Sequence, residues 1–198
     1  MRVVAGRYGG RRLKAPPGGA TRPTVERVRE ALFNILGGSV AGARVLDCYA
    51  GSGALGIEAL SRGAAHAVFV DKGRVAVEII RQNLATVGVR QPDGAHVLQR
   101  ALETSGPALR DLGPFDLVLV DPPFASVRDG SALTALGAVV RAGVLAPDAL
   151  VILEVPSDQA NPVVEGLWEE SARPYGDTRL VFLRPGEIRQ ISDNIVRP

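Results

Sequence analysis

The chain has 198 residues, is 46% hydrophobic and 22% charged, and carries a net charge of +2, which suits one globular domain with room for a small appendage. No apolar run approaches the roughly 18 residues of a membrane span, and the opening MRVVAGRYGG lacks the apolar core of a secretory signal. The single cysteine, Cys48, excludes a disulfide framework or a thiolate metal cluster, so a cytoplasmic protein without a metal site is expected.

The charge is unevenly placed. Arg2, Arg7, Arg11, Arg12, Lys14 and Arg22 all precede Glu26, the first acidic residue, and leave the remainder of the chain net acidic. A basic arm on a mildly acidic body is an electrostatic handle for a polyanion, nucleic acid above all. The stretch RVVAGRYGGRRLKA reads as two short strands around a glycine-rich turn, a hairpin that carries these arginines. Tyr8 sits among them as RNA-stacking aromatics do, although half-exposed hairpin tyrosines are also common.

After the loop PPGGATRP, a helix is predicted from Pro23, with Val25, Val28, Leu32, Ile35 and Leu36 on its apolar face and Glu26, Arg27, Arg29 and Glu30 off it. Gly37-Gly38 stops it. Strands and helices then alternate: ARVLDCY, ALGIEALSR, HAVFVD, RVAVEIIRQNLATVG and AHVLQR. A less regular segment from Ser105 to Leu112 precedes the apolar strand FDLVLVD, a helix near Ser131 to Arg141 and the strand ALVILEV. VVEGLWEESARPYG and TRLVFLR read as two strands joined at Gly176-Asp177, with a peripheral tail from Pro185. The expected fold class is α/β: a Rossmann-like sheet with helices on both faces, an antiparallel C-terminal hairpin and a small N-terminal β-hairpin extension. Residues 1–22 form the extension and 23–198 the main domain.

Gly51-Ser52-Gly53-Ala54-Leu55-Gly56 satisfies G-x-G-x-x-G at the turn from the first strand of the alternation into its helix. Glycines there let backbone approach a ligand, and the helix start offers free N–H groups. Asp71 ends the next strand, where a carboxylate can accept both hydroxyls of a ribose. Nicotinamide and S-adenosylmethionine enzymes share this much. Asp47, four residues before Gly51, favours the second, because a carboxylate there suits a ligand with an ammonium and a sulfonium better than a pyrophosphate.

Asp121-Pro122-Pro123-Phe124 closes a later strand on the same rim. It resembles the tetrapeptide of methyltransferases that modify an exocyclic amino group of a base. Such a nitrogen is a poor nucleophile because its lone pair is delocalised into the ring. The Asp121 carboxylate and the Pro122 carbonyl can each accept one N–H and turn the lone pair toward a methyl donor. The prolines restrict φ and hold those acceptors still, and Phe124 can stack on an extruded base. From the residues alone the chemistry is amino methylation of a nucleic acid. Adenine-N6 methylation of DNA or RNA, or an RNA-binding module that has lost catalysis, stays open. Cys48, Trp168 and Tyr175 read as packing residues, His66 and His96 lack partners for a metal or triad, and Glu58 and Glu154 read as element-end carboxylates of no catalytic weight.

With these residues placed, the chain resembles the RsmD-type methyltransferases, which modify a guanine N2 amino group of 16S ribosomal RNA. The likeness runs through RVVAGRYGGRRLKAP, RPTVERVREALFNIL, LDCYAGSGALGIEALSRGA, VDPPF and RPYGDTRLVFL. It implies that Asp47, Tyr49, Ala50, Gly51, Ser52, Gly53 and Asp71 hold S-adenosylmethionine and that Asp121 to Phe124 form the catalytic pocket. The hairpin residues Arg2, Arg7, Tyr8, Arg11, Arg12 and Lys14, with Arg22, Pro23 and Thr24, would face RNA or the pocket entrance. One departure is Gln99-Arg100-Ala101, where the family usually has an acid or amide before the alanine. Either the backbone makes that contact with the adenine, or Arg100 lies across it. The resemblance also implies a monomer that acts on 16S rRNA within a small-subunit assembly intermediate, where ribosomal proteins can take part.

Overall fold

The computed structural model describes residues 1–16 and 23–186, with the side chains of 23–25 left aside. Arg22, the side chains of Pro23 and Thr24, and the tail beyond 186 therefore lie outside the described residues. In chain order the elements are α1 (Pro23–Leu36), β1 (Arg44–Cys48), α2 (Ala54–Ser61), β2 (His66–Asp71), α3 (Arg74–Val87) and β3 (Ala95–Gln99). There follow α4 (Gly106–Arg110), β4 (Phe115–Val120), α5 (Phe124–Arg128), α6 (Ser131–Arg141), β5 (Leu145–Pro156), β6 (Leu167–Tyr175) and β7 (Thr178–Pro185). Among the described residues no helix is long and apolar enough to cross a membrane.

The seven strands form one sheet in the order β3-β2-β1-β4-β5-β7-β6. β1 to β5 run parallel, and β7 and β6 close the edge antiparallel. Helices cover both faces, as a parallel sheet requires. One core gathers Phe33, Val45, Ile57, Phe69, Ile80 and Leu119 under α1 to α3. The other gathers Leu46, Val68, Leu109, Val118, Leu136 and Val151 under α4 and α6.

The strand order reverses between β1 and β4, the point at which a doubly wound sheet opens a crevice beyond its strand ends. Register makes that crevice chemical. Cys48 lies beside Val70 and Val120, and Val120 beside Leu153. One residue further along each strand are Tyr49, Asp71, Asp121 and Glu154, a polar row along the rim of an otherwise apolar sheet.

Three details depart from the pattern in the sequence. In α1, Ile35 is 37% exposed while Phe33 is fully buried; the buried rows are Val28/Leu32/Leu36 and Arg29/Phe33, each spaced i, i+4. Arg29, expected off the apolar face, is 3% exposed because its partners are buried with it. The third is α5, a short helix that begins at Phe124 where only a turn was expected; Pro123 immediately precedes it, and prolines suit a helix start.

The basic arm forms a narrow hairpin, with one bridge between Arg2 and Arg12 and backbone bonds from Val3 N–H to Arg11, Gly10 N–H to Val3 and Leu13 N–H to Met1 carbonyls. Val3 and Leu13 are buried in the same core as α1.

Candidate active site

The turn after β1 is shaped by backbone that L-residues rarely adopt. Tyr49 has φ +58, Gly51 +55 and Gly53 +76, and a non-glycine at positive φ is the kind of strain that accumulates at ligand sites. The Ala50 N–H donates to the Val70 carbonyl at 3.1 Å, and the Gly53 N–H to the Ala50 carbonyl at 2.6 Å. The glycines differ in purpose. A Cβ on Gly51 would meet nothing nearer than the Tyr49 carbonyl at 3.8 Å, so that face is open. A Cβ on Gly53 would press on Phe69 and Ile80 at 3.3–3.4 Å, and one on Gly56 would lie 2.4 Å from the Phe69 ring. Gly53 and Gly56 therefore bring α2 against the sheet, and Gly51 is the one with an open face, on the wall of both cavities that meet over this turn.

Two carboxylates brace the turn. Asp71 Oδ2 accepts the Gly51 N–H at 2.9 Å and Oδ1 the Gly73 N–H at 2.8 Å, leaving a lone pair on each oxygen. Asp47 is 1% exposed and its Oδ2 accepts the Gly56 N–H at 2.8 Å. Burial drives the Asp47 pKa well above the carboxylate range, and the charges of Asp121 and Asp71 add to the rise against the pull of the Gly56 bond.

Two cavities meet over this turn. The larger, about 850 Å³, is walled by Asp71, Lys72, Arg100, Ala101, Pro122 and Pro123 among others. The Arg100 N–H is bonded to the Asp71 carbonyl at 3.0 Å, which fixes the Gln99-Arg100-Ala101 segment beside that carboxylate. The smaller, about 290 Å³, has Asp47, Ser52, Arg29 and Glu154 on its wall, with Val28, Leu32, Leu119, Ile152 and Leu180 as an apolar floor. Tyr49, Gly51 and Asp121 line both. Of the cofactor-binding and catalytic residues expected from the sequence, Gly53 and Phe124 line neither, and the arm residues Arg2, Arg7, Tyr8, Arg11, Arg12 and Lys14 lie outside both; Phe124 is half-buried at the start of α5.

Asp121 stands at this junction, ringed by protein yet open to the water of the cleft. That depth, and then the charge of Glu154, push its pKa up to about 7. No hydrogen bond among the described residues is made to the Pro122 carbonyl. Glu154 is raised as well, chiefly by burial, while its Oε1 accepts the Thr178 hydroxyl at 2.8 Å. Three carboxyl groups whose proton affinity is raised chiefly by burial, with Glu154 adding to the rise of Asp121 and Asp121 to that of Asp47, and with Arg29 as the one basic side chain on the smaller wall among the described residues, form a site suited to a ligand bearing positive charge and N–H donors. A group carrying an ammonium, a sulfonium and a ribose diol fits these residues.

Glu154 and Glu58, read from the sequence as carboxylates of no catalytic weight, both have structural work. Glu58 is fully buried and its carboxylate accepts the backbone N–H groups of Val4 at 2.7 Å and Ala5 at 3.0 Å, besides the Arg62 guanidinium at 2.8 Å. Arg29 lies 3.9 Å from it and donates to the Arg2 carbonyl at 2.6 Å. Asn83, also missed, exchanges bonds with Lys14 backbone at 2.8 and 3.0 Å and donates to the Ser52 carbonyl at 2.8 Å. The arm is thus fastened to both helices that flank the glycine turn. Its Arg2, Arg7, Arg11, Arg12 and Lys14 side chains remain exposed, with Arg7 5.6 Å from the half-buried Tyr8 ring. Cys48 is a buried core thiol, pushed up by burial. His66 and His96 face each other at 3.1 Å, and no group of three metal-ligating side chains occurs among the described residues.

The model of the family described as Conserved hypothetical protein 95 matches residues 1–184. Ribosomal RNA small subunit methyltransferase D of Escherichia coli K12 is 37% identical over 85% of this chain and 81% of its own length. The solved structure of yhhF from Escherichia coli superposes with a TM-score of 0.77 at 34% identity, covering 93% of this chain and 97% of that one. At 14% identity, magnesium protoporphyrin IX methyltransferase from Synechocystis, solved with S-adenosylmethionine bound, shares the fold over 82% of this chain and 80% of its own, with a TM-score of 0.62.

Proposed function

The chain belongs to the Conserved hypothetical protein 95 family, and from that premise we propose that it methylates the N2 amino group of a guanine in 16S ribosomal RNA. The observation that carries the chemistry is the pair of acceptors formed by the Asp121 carboxylate at the cavity junction and the Pro122 carbonyl on the larger wall, to neither of which a hydrogen bond is made among the described residues. S-adenosylmethionine, when bound, supplies a methyl group already activated on sulfur. Asp71, Arg100 and Ala101 would receive its adenosine end in the larger cavity, and Asp47 with the turn Tyr49 to Gly53 its charged end.

The chain's own residues then position the base. Asp121 and Pro122 accept the two amino hydrogens, turn the nitrogen lone pair out of conjugation and aim it into the cavity junction. Orientation of this kind contributes much of the rate when the donor is already activated. Asp121 can take the released proton, although the methylated cation is acidic enough to lose it to water. Pro123 fixes the entry to α5, where Phe124 is placed to stack on the extruded base from outside the two cavities, and Tyr49 is an aromatic that lines both of them.

Residues 1–22 act as an RNA-facing extension and 23–198 as the methyltransferase domain. The partner is 16S rRNA in a small-subunit assembly intermediate, with ribosomal proteins alongside, met by a cytoplasmic monomer whose cleft stays open. The test is methyl transfer from radiolabelled S-adenosylmethionine to unmethylated small subunits, with duplex DNA in parallel and identification of the labelled nucleoside. Label in N2-methylguanosine of the rRNA supports the proposal; label only in N6-methyladenine of DNA overturns the substrate and keeps the chemistry.

A further inference from the structure

We infer that Glu154 is the specificity-determining acceptor of this site, reading the N1–H of the target guanine while Asp121 and Pro122 hold the N2 hydrogens. The inference rests on the amino-methylation reading above and extends it to base choice.

Glu154 follows Leu153, which pairs with Val120 of β4, so Glu154 and Asp121 are neighbours across the parallel β4–β5 pair. Both line the smaller cavity. Glu154 Oε1 is held by the Thr178 hydroxyl at 2.8 Å, and that hydroxyl is itself 3.2 Å from the Val155 carbonyl, so β7 fixes the carboxylate from behind. No hydrogen bond among the described residues is made to Oε2.

The Asp121 carboxylate and Glu154 Oε2 therefore give two acceptors on adjacent strand ends above an apolar floor of Leu119, Ile152 and Leu180 that suits the face of a base, and Pro122, next to Asp121 in the chain, brings a third acceptor from the wall of the larger cavity that Asp121 also lines. The Watson–Crick edge of guanine carries three N–H donors in a row, one on N1 and two on N2, and no other standard base does so. Adenine and cytosine present a ring-nitrogen lone pair beside the amino group, which a carboxylate at this place repels. Extruded bases are read on this edge, and a site built to bond an N–H discriminates strongly against an analogue that lacks it. Among the described residues Arg29 and Asp47 are the other charged side chains on this wall; neither offers a competing acceptor beside Asp121 on β4 and β5.

The experiment uses the full-length protein and small-subunit particles reconstituted with either guanine or 2-aminopurine at the methylated position. 2-Aminopurine keeps the N2 amino group, exchanges the N1–H for a lone pair and lacks O6, so the response of Glu154→Gln separates the N1 contact from any contact to O6. The wild type should prefer guanine by roughly 10–100-fold in kcat/KM, the range of one hydrogen bond to a charged group. Glu154→Gln, which offers an amide N–H, should lose that preference and gain on 2-aminopurine, with calorimetric affinity for S-adenosylmethionine unchanged. A wild type indifferent to the two bases overturns the inference without recourse to any variant. So does an equal loss on both bases in Glu154→Gln, or a loss of cofactor affinity, which would place Glu154 at the methyl donor. If the wild type labels neither particle at N2, the amino-methylation reading itself falls and this inference with it.

Discussion

The buried carboxylate of Glu58 accepts the backbone N–H of Val4 at 2.7 Å, across 54 positions of chain. It thereby ties the basic arm to the helix that springs from the glycine turn. The same carboxylate faces Arg62 and the buried Arg29. Removing its charge takes from the interior Arg29 its principal counter-ion, leaving the weaker field of Glu26, and breaking a buried pair from one side costs about 3–5 kcal/mol. Glu58→Gln is expected to lower unfolding stability by about 3 kcal/mol in urea titrations and to free the arm for proteolysis near Ala5. A variant that melts like the wild type and keeps its arm protected would refute this.

The rim of the site was legible because parallel register does most of the placing. Asp47, Gly51, Asp71 and Asp121 each stand at or beside the end of an apolar strand, and once those strands align, the polar row forms. Glu154 stands in the same row, but nothing within LEVP marks it; its part comes from Asp121 and Thr178, neighbours only across the sheet. Glu58 and Asn83 escaped for a related reason, since their partners are backbone groups of the arm, and a sequence pattern does not display contacts of that range. α5 escaped because five residues after two prolines look like a turn.

Gly51 and Gly56 belong to one fingerprint yet should fail differently. A Cβ at position 56 would lie 2.4 Å from Phe69 Cε1 and 3.1 Å from Asp47 Oδ2, and Phe69 is fully buried. Gly56→Ala is expected to cost about 2–3 kcal/mol of stability through overpacking. At Gly51 the added Cβ meets open space, at a backbone cost of about 1–2 kcal/mol for φ +55. Gly51→Ala should melt closer to the wild type while losing cofactor affinity in calorimetry. Equal melting temperatures for the two variants would contradict this division of roles.

Asp121 makes stability and catalysis respond to pH in opposite directions. Its pKa is pushed up to about 7 from an ordinary 3.8, so between those values the folded chain holds a proton that the unfolded chain has released. Stability of the free protein therefore falls as pH rises through this window, and Asp47, shifted the same way, adds to the fall. The acceptor role needs the carboxylate, so kcat/KM should climb with pH along a limb near 7 that belongs to the coupled Asp121–Glu154 pair. Asp121→Ala should make the stability profile shallower and abolish methyl transfer while retaining S-adenosylmethionine. A wild-type rate that is flat from about pH 5 to 8 would be incompatible with an acceptor that ionises near 7 at this position.

The arm's arginines should contribute affinity for rRNA through charge, independently of the cleft. Arg7 and Arg12 project into solvent, whereas Arg2 shares its charge with Glu26 at 3.8 Å and Arg11 donates to the Thr86 carbonyl at 2.7 Å. A cation that displaces one counterion from single-stranded or duplex nucleic acid adds roughly 0.7–0.9 to the slope of log affinity against log salt. Arg7→Gln and Arg12→Gln are each expected to lower that slope by about this amount, with cofactor affinity and melting temperature unchanged. Arg2→Gln should do less, because part of its field is already cancelled. Glu58→Gln provides the comparison, since a released arm can no longer present its charges together and the slope should drop by more than any single arginine accounts for. Binding isotherms over a range of salt decide the matter: slopes indifferent to Arg7 and Arg12 would mean that the arm's charge faces water alone.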